Sequence, residues 1–559
     1  MMSEFLIGRA RWFCAPLFGL IFGFAAAEQG SEDPNNWPQY HRTPNGFRYS
    51  PLEQIDKSNV QRLKIAWIHH PTDNTNGLHV TPIVIDGVAY YSTPFNDVYA
   101  LDAASGATIW HYQAEMDPVV HEMLLTGVSR GVTVGHGMVF MGTSDGRFIA
   151  LDQQTGEERW SKQITQPRDC NSCSFSSPPQ LAGDILFGGS TGGDFPIASK
   201  IYAVYASNGE PAWTFDIIRD HPDSWTPEAA KKGGGGAWMP GSYDAATDTI
   251  YIGTGNAAPD FDGAARPGDN KYTATLLALT GKTGAIKWSY QEVPHDVWDF
   301  DAAFETLHIN KDGQEFIVHP NKTGFVFVFD KKTGAPRHYW RLAENITVAT
   351  GFDLEKGDFI GRREPQRGET FVQCPSPNGA RGWNHGAYNP KTGLWYINAT
   401  EMCIRLRPVE QDPESVGLMG LYLGTEEMAL VAPPGQPVSA RLDARDPLTG
   451  KQKWQVDYDI PVFSSLLTTG GGLVFNIDSR GVLHAYDGDE GTDLWQMRVG
   501  RGSRGGLVSY AVDGRQYILV TTGLGGFGVN VTRSIFPDLG ELQGGGLLIA
   551  FTLADDVKQ

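Results

Sequence analysis

The sequence predicts an all-β protein, an eight-bladed β-propeller, from three observations. A glycine-and-tryptophan pattern recurs along the whole chain; period-two apolar runs joined by glycine turns flank its copies; and 67 glycines and 15 tryptophans among 559 residues accompany little helical periodicity. The copies are ALDAASGATIW ending at Trp110, ALDQQTGEERW at Trp160, AVYASNGEPAW at Trp213, ALTGKTGAIKW at Trp288, VFDKKTGAPRH at His338, ARDPLTGKQKW at Trp454 and AYDGDEGTDLW at Trp495. Flanking stretches such as MVFMGTSDGRFIALD and GLVFNIDSRGVLHAYD read as strand, turn, strand. Sheets repeated at such a period are propeller blades. Trp67 ends an equivalent strand without the preceding turn and brings the count to eight. The intervals from Gly209 to Gly284 and from Gly334 to Gly450 are long, so they must hold insertions, the second being long enough for a further degenerate blade. The tryptophans are read as welds, each ring covering one blade while its N–H meets a backbone acceptor on the next.

The start of the chain reads as an address. Arg9 and Arg11 precede an apolar run from Trp12 to Ala25, and Ala25-Ala26-Ala27 precede Glu28. That is the layout of a cleaved secretory signal, and the run falls short of the ~20 residues that span a bilayer. The expected division is a signal peptide at 1–27 and a single propeller domain at 28–559, located in the periplasm, with no transmembrane anchor after cleavage. With 45 Lys and Arg against 64 Asp and Glu, the net charge is -19. Such a surface repels phosphate backbones, which argues against nucleic acid as a partner. A composition of 41% hydrophobic and 19% charged residues argues equally against disorder and a polytopic membrane protein.

Beyond Cys14 in the leader, four cysteines remain for an oxidising compartment: Cys170, Cys173, Cys374 and Cys403. An even count favours two disulfides, most simply Cys170–Cys173 and Cys374–Cys403. Cys170-Asn-Ser-Cys173 could also be half of a zinc site or a redox dithiol, although no second CxxC or His pair accompanies it. Ser174 follows it where c-type haem attachment would need His.

Chemistry is sought where the repeat breaks, because propeller insertions gather at one end of the axis. The departures include GGSTGGDFPIASK at 188–200, GGGGAWMPGSYDAATDTIYIGTGN at 233–256, RPGDNKY at 266–272, PHDVWDFD at 294–301 and HPNKTG at 319–324. Asp194, Asn256, Asp299 and Asp301 in these segments offer oxygen ligands suited to a hard cation. Asp299 and Asp301 stand two apart, hence on one face of an extended strand.

In these segments the chain resembles the quinoprotein alcohol dehydrogenases, eight-bladed propellers that use pyrroloquinoline quinone (PQQ). The likeness runs from WPQY and RYSPLEQIDKSNV near the start to GGGLLIAFTL near the end, and is sharpest where Trp238 followed by Asp244, YIGTGN, RPGDNK and PHDVWD appear in order. It implies that Trp238 is the floor on which the flat quinone stacks, and that Asp194, Asn256, Asp299 and Asp301 surround the cation. It also implies that Asp299 is the catalytic base and that Arg130 in VSRG and Lys322 in HPNKTG face the cofactor's oxygens. Ser176, Thr191, Gly192 and Gly193 become polar and backbone contacts, and Cys374–Cys403 matches a structural disulfide of the family. A cofactor with three carboxylates entering so acidic a protein needs such a local positive cluster.

Three departures accompany the resemblance. Where many members have two adjacent cysteines, this chain has Leu124 and Leu125, expected to form an apolar cover over PQQ. A commonly glutamate ligand is Asp194, and a commonly acidic or amide contact is His79. These features are similar to the branch near the membrane glucose dehydrogenases. Asp301 also occurs in lanthanide-using members, but these usually keep the longer glutamate, so the expected ion is calcium with a lanthanide as the alternative. The expected activity is oxidation of a primary or secondary alcohol or a polyol to the aldehyde or ketone. Without a CxxCH sequence, electrons are expected to pass to cytochrome c or another external acceptor. The alternative reading is a non-catalytic propeller that binds protein or glycan.

Overall fold

The computed structural model describes residues 33–72, 76–124, 127–168, 173–218, 223–540 and 544–555. The expected leader at 1–27, Leu125 and Cys170 lie outside the described residues. Among those described, eight sheets of four or five strands follow one another along the chain. They span residues 83–112, 133–163, 180–216, 242–291, 307–341, 387–458, 467–498 and 507–553. Neighbouring strands within these sheets are antiparallel, except that Tyr49–Ser50 joins the seventh sheet alongside Leu467–Thr469 in parallel. The eighth sheet is completed by Leu63–His69, antiparallel to Leu548–Leu553. Trp67 therefore belongs to the last sheet although it is first in sequence, and this explains its missing turn. The ring is a β-propeller closed by joining its two chain ends.

The repeat motif is the joint between sheets. The indole N–H groups of Trp67, Trp110, Trp160, Trp213, Trp288, Trp340 and Trp454 donate to the carbonyls of Ala103, Gln153, Ala206, Gly281, Lys331, Pro447 and Gly488 in the following sheet, at 2.9–3.2 Å. The motif glycine of that sheet lies against the ring. At Gly284 a Cβ would stand 2.5 Å from Trp213, and φ is +67°, so both space and backbone conformation call for glycine. The aspartate that opens the motif folds the turn, as Asp152 does by accepting the amides of Gln154 and Thr155 at 2.9 Å.

Two copies differ from the pattern, and in one of them Trp495 makes no such indole bond among the described residues but packs edge-on against Phe551 of the eighth sheet. In the other, His338 faces Val328 in register, as Trp110 faces Ala100, but His338 is exposed and Trp340 makes the joint. Two residues along a strand return to the same face, so the tryptophan reaches its seat from the next outward position. The long interval from Gly334 to Gly450 holds a hairpin, Gly351–Asp353 with Asp358–Ile360, and an inserted sheet of Phe371–Gln373, Cys403–Pro408 and Thr425–Val431, not a further four-stranded blade. Cys374 and Cys403 are bonded and pin this inserted sheet. Cys173 is also in a disulfide. No helix among the described residues is long and apolar enough to cross a membrane.

The glycine seat predicts the cost of filling it. Gly284→Ala places a methyl against Trp213 and forces a left-handed backbone on alanine, and the loss should be about 2–5 kcal/mol. The urea midpoint measures this, and a midpoint equal to the parent's would show that the Trp213 joint tolerates a side chain.

Candidate active site

The connections entering the sheets open at one end of the ring, and a cavity there is lined by one residue shortly before the first strand of every sheet. His79 precedes Ile83–Ile85, Arg130 precedes Thr133–Gly135, Ser176 precedes Gln180–Ala182 and Trp238 precedes Ser242–Asp244. Asp301 precedes Leu307–Lys311, Trp383 precedes Ala387–Asn389, Phe463 precedes Leu467–Thr469 and Arg504 precedes Leu507–Val512. The loops leaving the second strands add Thr191, Gly192, Gly193 and Asp194, then Asn256 and Asp260, then Lys322. Asp299 completes the set from the turn PHDVWDFD.

One wall is acidic. Ligand oxygens of Asp194, Asp260 and Asp299 lie within 4.8 Å of one another. Lys322 Nζ is 2.6 Å from Asp299 Oδ1 and 2.8 Å from Asp301 Oδ2. Asp301 also accepts the Asn256 backbone N–H at 2.8 Å. The Asn256 side-chain amide donates to Asp260 Oδ1 at 2.9 Å, and its other end leans on Gly193, where a Cβ would come within 2.2 Å of Oδ1. Burial pushes Asp194 up to about 6 against the pull of Lys322. Asp299 and Asp260 are raised well above the usual carboxylate range, first by burial; Lys322 opposes both shifts, while neighbouring carboxylates add to them. A cation among these oxygens would relieve the crowding.

The loops that carry the carboxylates share one clamp. Arg266 of RPGDNK is fully buried, and its guanidinium donates to the carbonyls of Pro259, Asp260 and Asp296 and to Asn270 Oδ1. The Asp296 carboxylate accepts the amides of Trp298 at 3.1 Å and Phe300 at 3.0 Å. Between these two amides Asp299 is held at φ +59°, a left-handed conformation that aspartate adopts at a cost and that the surrounding turn imposes.

The opposite wall is basic and aromatic. The Arg130 guanidinium lies 4.9 Å from the Trp238 ring centre and 4.5 Å from that of Trp383. It donates to Ser176 Oγ at 2.5 Å. Arg504 lies 5.5 Å from Trp383 and donates to the Gly525 carbonyl at 3.1 Å. Neither arginine has a carboxylate partner among the described residues. Burial lowers Arg130 to about 10, and burial with Arg130 nearby lowers Arg504 to about 9. Burial and the same two arginines push His79 well below its ordinary value and keep it neutral. Nε of both arginines, Nε2 of His79 and Oδ2 of Asp260 are buried without a hydrogen-bond partner. Buried polar atoms of this kind require partners. The cavity thus fits a flat polyanion held by arginines at one side and by a cation at the other.

The structure brings together every described candidate except one. Leu124 does not line the cavity; its amide donates to Leu418 at 3.1 Å, beside the cluster of Val119, Val120 and Met123. Trp383, Arg504 and Asp260 were not anticipated. The first two obey the same offset before a first strand as Arg130 and Trp238, a signal readable once the strands are placed.

Comparison with known proteins agrees with this cavity. Residues 37–344 and 423–518 match the family described as PQQ: glucose/ethanol/alcohol dehydrogenase, beta-propeller domain. The chain is 34% identical over 540 residues to the quinohemoprotein alcohol dehydrogenase ADH IIB of Pseudomonas putida, covering 91% of this chain and 77% of that one. It is 30% identical over 579 residues to the quinoprotein alcohol dehydrogenase PedH of Pseudomonas putida, covering 97% and 96%. Among solved structures it matches a europium-containing methanol dehydrogenase with a TM-score of 0.87 at 27% identity, covering 94% and 99%. The chain belongs to the quinoprotein alcohol dehydrogenase family. It is a PQQ-dependent alcohol dehydrogenase, and the reading as a non-catalytic propeller falls away.

The contact between Gly193 and Asn256 makes a test. Gly193→Ala should displace the Asn256 amide and weaken calcium uptake by about tenfold or more while the circular dichroism spectrum stays that of the parent. Calorimetric titration showing parental affinity would mean that the Asn256 side chain takes no part in holding the ion.

Proposed function

We propose that the protein works in the periplasm, after removal of residues 1–27, as a single propeller domain at 28–559. It would oxidise an alcohol carrying an apolar substituent to the aldehyde or ketone and pass electrons to an external acceptor such as cytochrome c. The observation that carries this reading is the pair of buried guanidiniums, Arg130 and Arg504, without carboxylate partners among the described residues and lining one cavity with two indoles and a cluster of carboxylates. Such a pair calls for a ligand with its own carboxylates. Asp194, Asn256, Asp299 and Asp301 would hold a hard cation, calcium or a lanthanide.

The residues divide the work. Arg130, Arg504 and His79 bind and orient the cofactor, with Ser176 fixing the Arg130 guanidinium and Thr191, Gly192 and Gly193 bordering the slot. Trp238 and Trp383 supply flat apolar surface and exclude water. Acceptance of a hydride, which no side chain offers, is the chemistry that PQQ supplies when bound. Asp299 takes the hydroxyl proton of the alcohol, its ionised form favoured by Lys322 at 2.6 Å and by a neighbouring cation. Lys322 also anchors Asp301, so one ammonium fixes the spacing of both carboxylates.

The approach to this centre suggests the substrate class. Phe261, Ile404, Leu421, Leu423, Met428 and Leu430 line the cavity, with several drawn from the inserted sheet that the Cys374–Cys403 bridge secures. An apolar wall rewards each buried methylene by about 0.8 kcal/mol.

Asp299→Asn should retain PQQ absorbance but lose about 10²–10⁴ in turnover. Turnover within threefold of the parent would remove Asp299 from the role of base. On a series of straight-chain primary alcohols, kcat/KM should rise by about fourfold per added methylene until the wall is covered. A preference for polyols over butanol would contradict the apolar reading.

A further inference from the structure

Asp260 lies in no segment that marks the site in sequence, yet it is the most deeply placed of the cavity's carboxylates. It follows Asn256 by four residues in the loop leaving the strand Thr249–Gly253 and has no exposed surface. Its Oδ1 accepts the Asn256 amide at 2.9 Å, whereas Oδ2 is buried with no partner. Its ligand oxygen lies within 4.8 Å of those of Asp194 and Asp299. Among the described residues the one ammonium on this wall, Lys322, is already engaged with Asp299 and Asp301. Arg266 beneath the loop spends its donors on backbone carbonyls and Asn270, fixing the chain and leaving the Asp260 carboxylate to the cavity. A fully buried carboxylate oxygen beside two others, with no donor and, among the described residues, no ion pair of its own, is a costly arrangement unless a positive centre meets it.

We propose that Asp260 is a direct ligand of the cation, and that its charge adapts this site to a trivalent ion in preference to a divalent one. The proposal rests on the reading of this cavity as a cofactor-and-cation site. The charges support it. Lys322 bridges Asp299 and Asp301 and offsets one charge of that pair, and Arg266 is matched first by Asp296, so three negative charges remain among Asp194, Asp260, Asp299 and Asp301, which a trivalent ion balances and a divalent ion leaves in excess. Hard, oxygen-only donors suit lanthanide as well as calcium, so the charge count decides between them.

The test uses chelator-stripped protein with PQQ, as the parent, Asp260→Asn and Asp260→Ala, titrated calorimetrically with calcium and with lanthanum. Europium luminescence lifetimes in H₂O and D₂O count the waters on the ion. The parent should bind lanthanum at least about a hundredfold more tightly than calcium. Both variants should lose at least about tenfold more affinity for lanthanum than for calcium. Each should also gain about one europium-bound water, a readout that a purely structural role would not move. Parental water counts and affinities in both variants would overturn ligation by Asp260. Gain of a water with equal losses for both ions would support ligation and overturn the trivalent preference. A parent that takes up neither PQQ nor any ion would overturn the cofactor reading itself, and with it this inference.

Discussion

The molecule depends on an indole resting on a glycine. Each docking tryptophan reaches from one sheet to a carbonyl of the next, and the turn it meets must lack a side chain to let the ring approach. Repeated around the ring, this contact sets the spacing between sheets. It converts a series of local meanders into a rigid cylinder. Rigidity is what allows residues from eight separate sheets to be presented at one end with fixed separations, because each is tied to the beginning of a strand that cannot shift without its neighbours.

On that frame the cavity is divided electrically. Two guanidiniums, held between or beside indole rings, face a wall of carboxylates whose crowding raises their affinity for protons. Neither half is satisfied within the protein. Among the described residues the arginines lack carboxylate partners and the carboxylates outnumber the one ammonium, Lys322, that pairs with them, so both halves are built for occupants. The folded chain carries this imbalance at its centre and offsets it with joints and clamps around the periphery. Arg266 is the clearest of these, since one buried guanidinium holds the loop of Asp260 and the turn of Asp299 together through their carbonyls.

Much of this was legible in the residues, and the parts that were not have identifiable reasons. The repeat exposed the ring because Asp, Gly and Trp each perform a local task that tolerates little substitution. The copy ending at His338 was read two positions short, since spacing within a strand defines a face but not which residue on that face reaches the neighbour. Arg130, Trp238, Asn256, Asp299 and Lys322 stood in recognisable segments and line the cavity. Arg504 and Trp383 stood in unremarkable glycine-rich stretches, and their common offset from a strand emerges with the strands themselves. Leu124 was expected over the cofactor from the family resemblance alone, which does not fix direction, and its amide donates to the Leu418 carbonyl.

The closure of the ring by Leu63–His69 against Leu548–Leu553 has a consequence for how the protein comes into being. The first of these strands is synthesised early and finds its partner only when nearly all the chain exists. Most strands of the intervening sheets are hairpin neighbours that form from local contacts, whereas this pairing closes a loop of almost the whole chain and is entropically the dearest. The cavity draws a residue from every sheet, so it comes into existence with that last pairing. Loading of the cofactor should therefore report completion of the circle, since Arg504 of the last sheet lines the same cavity as His79 of the first.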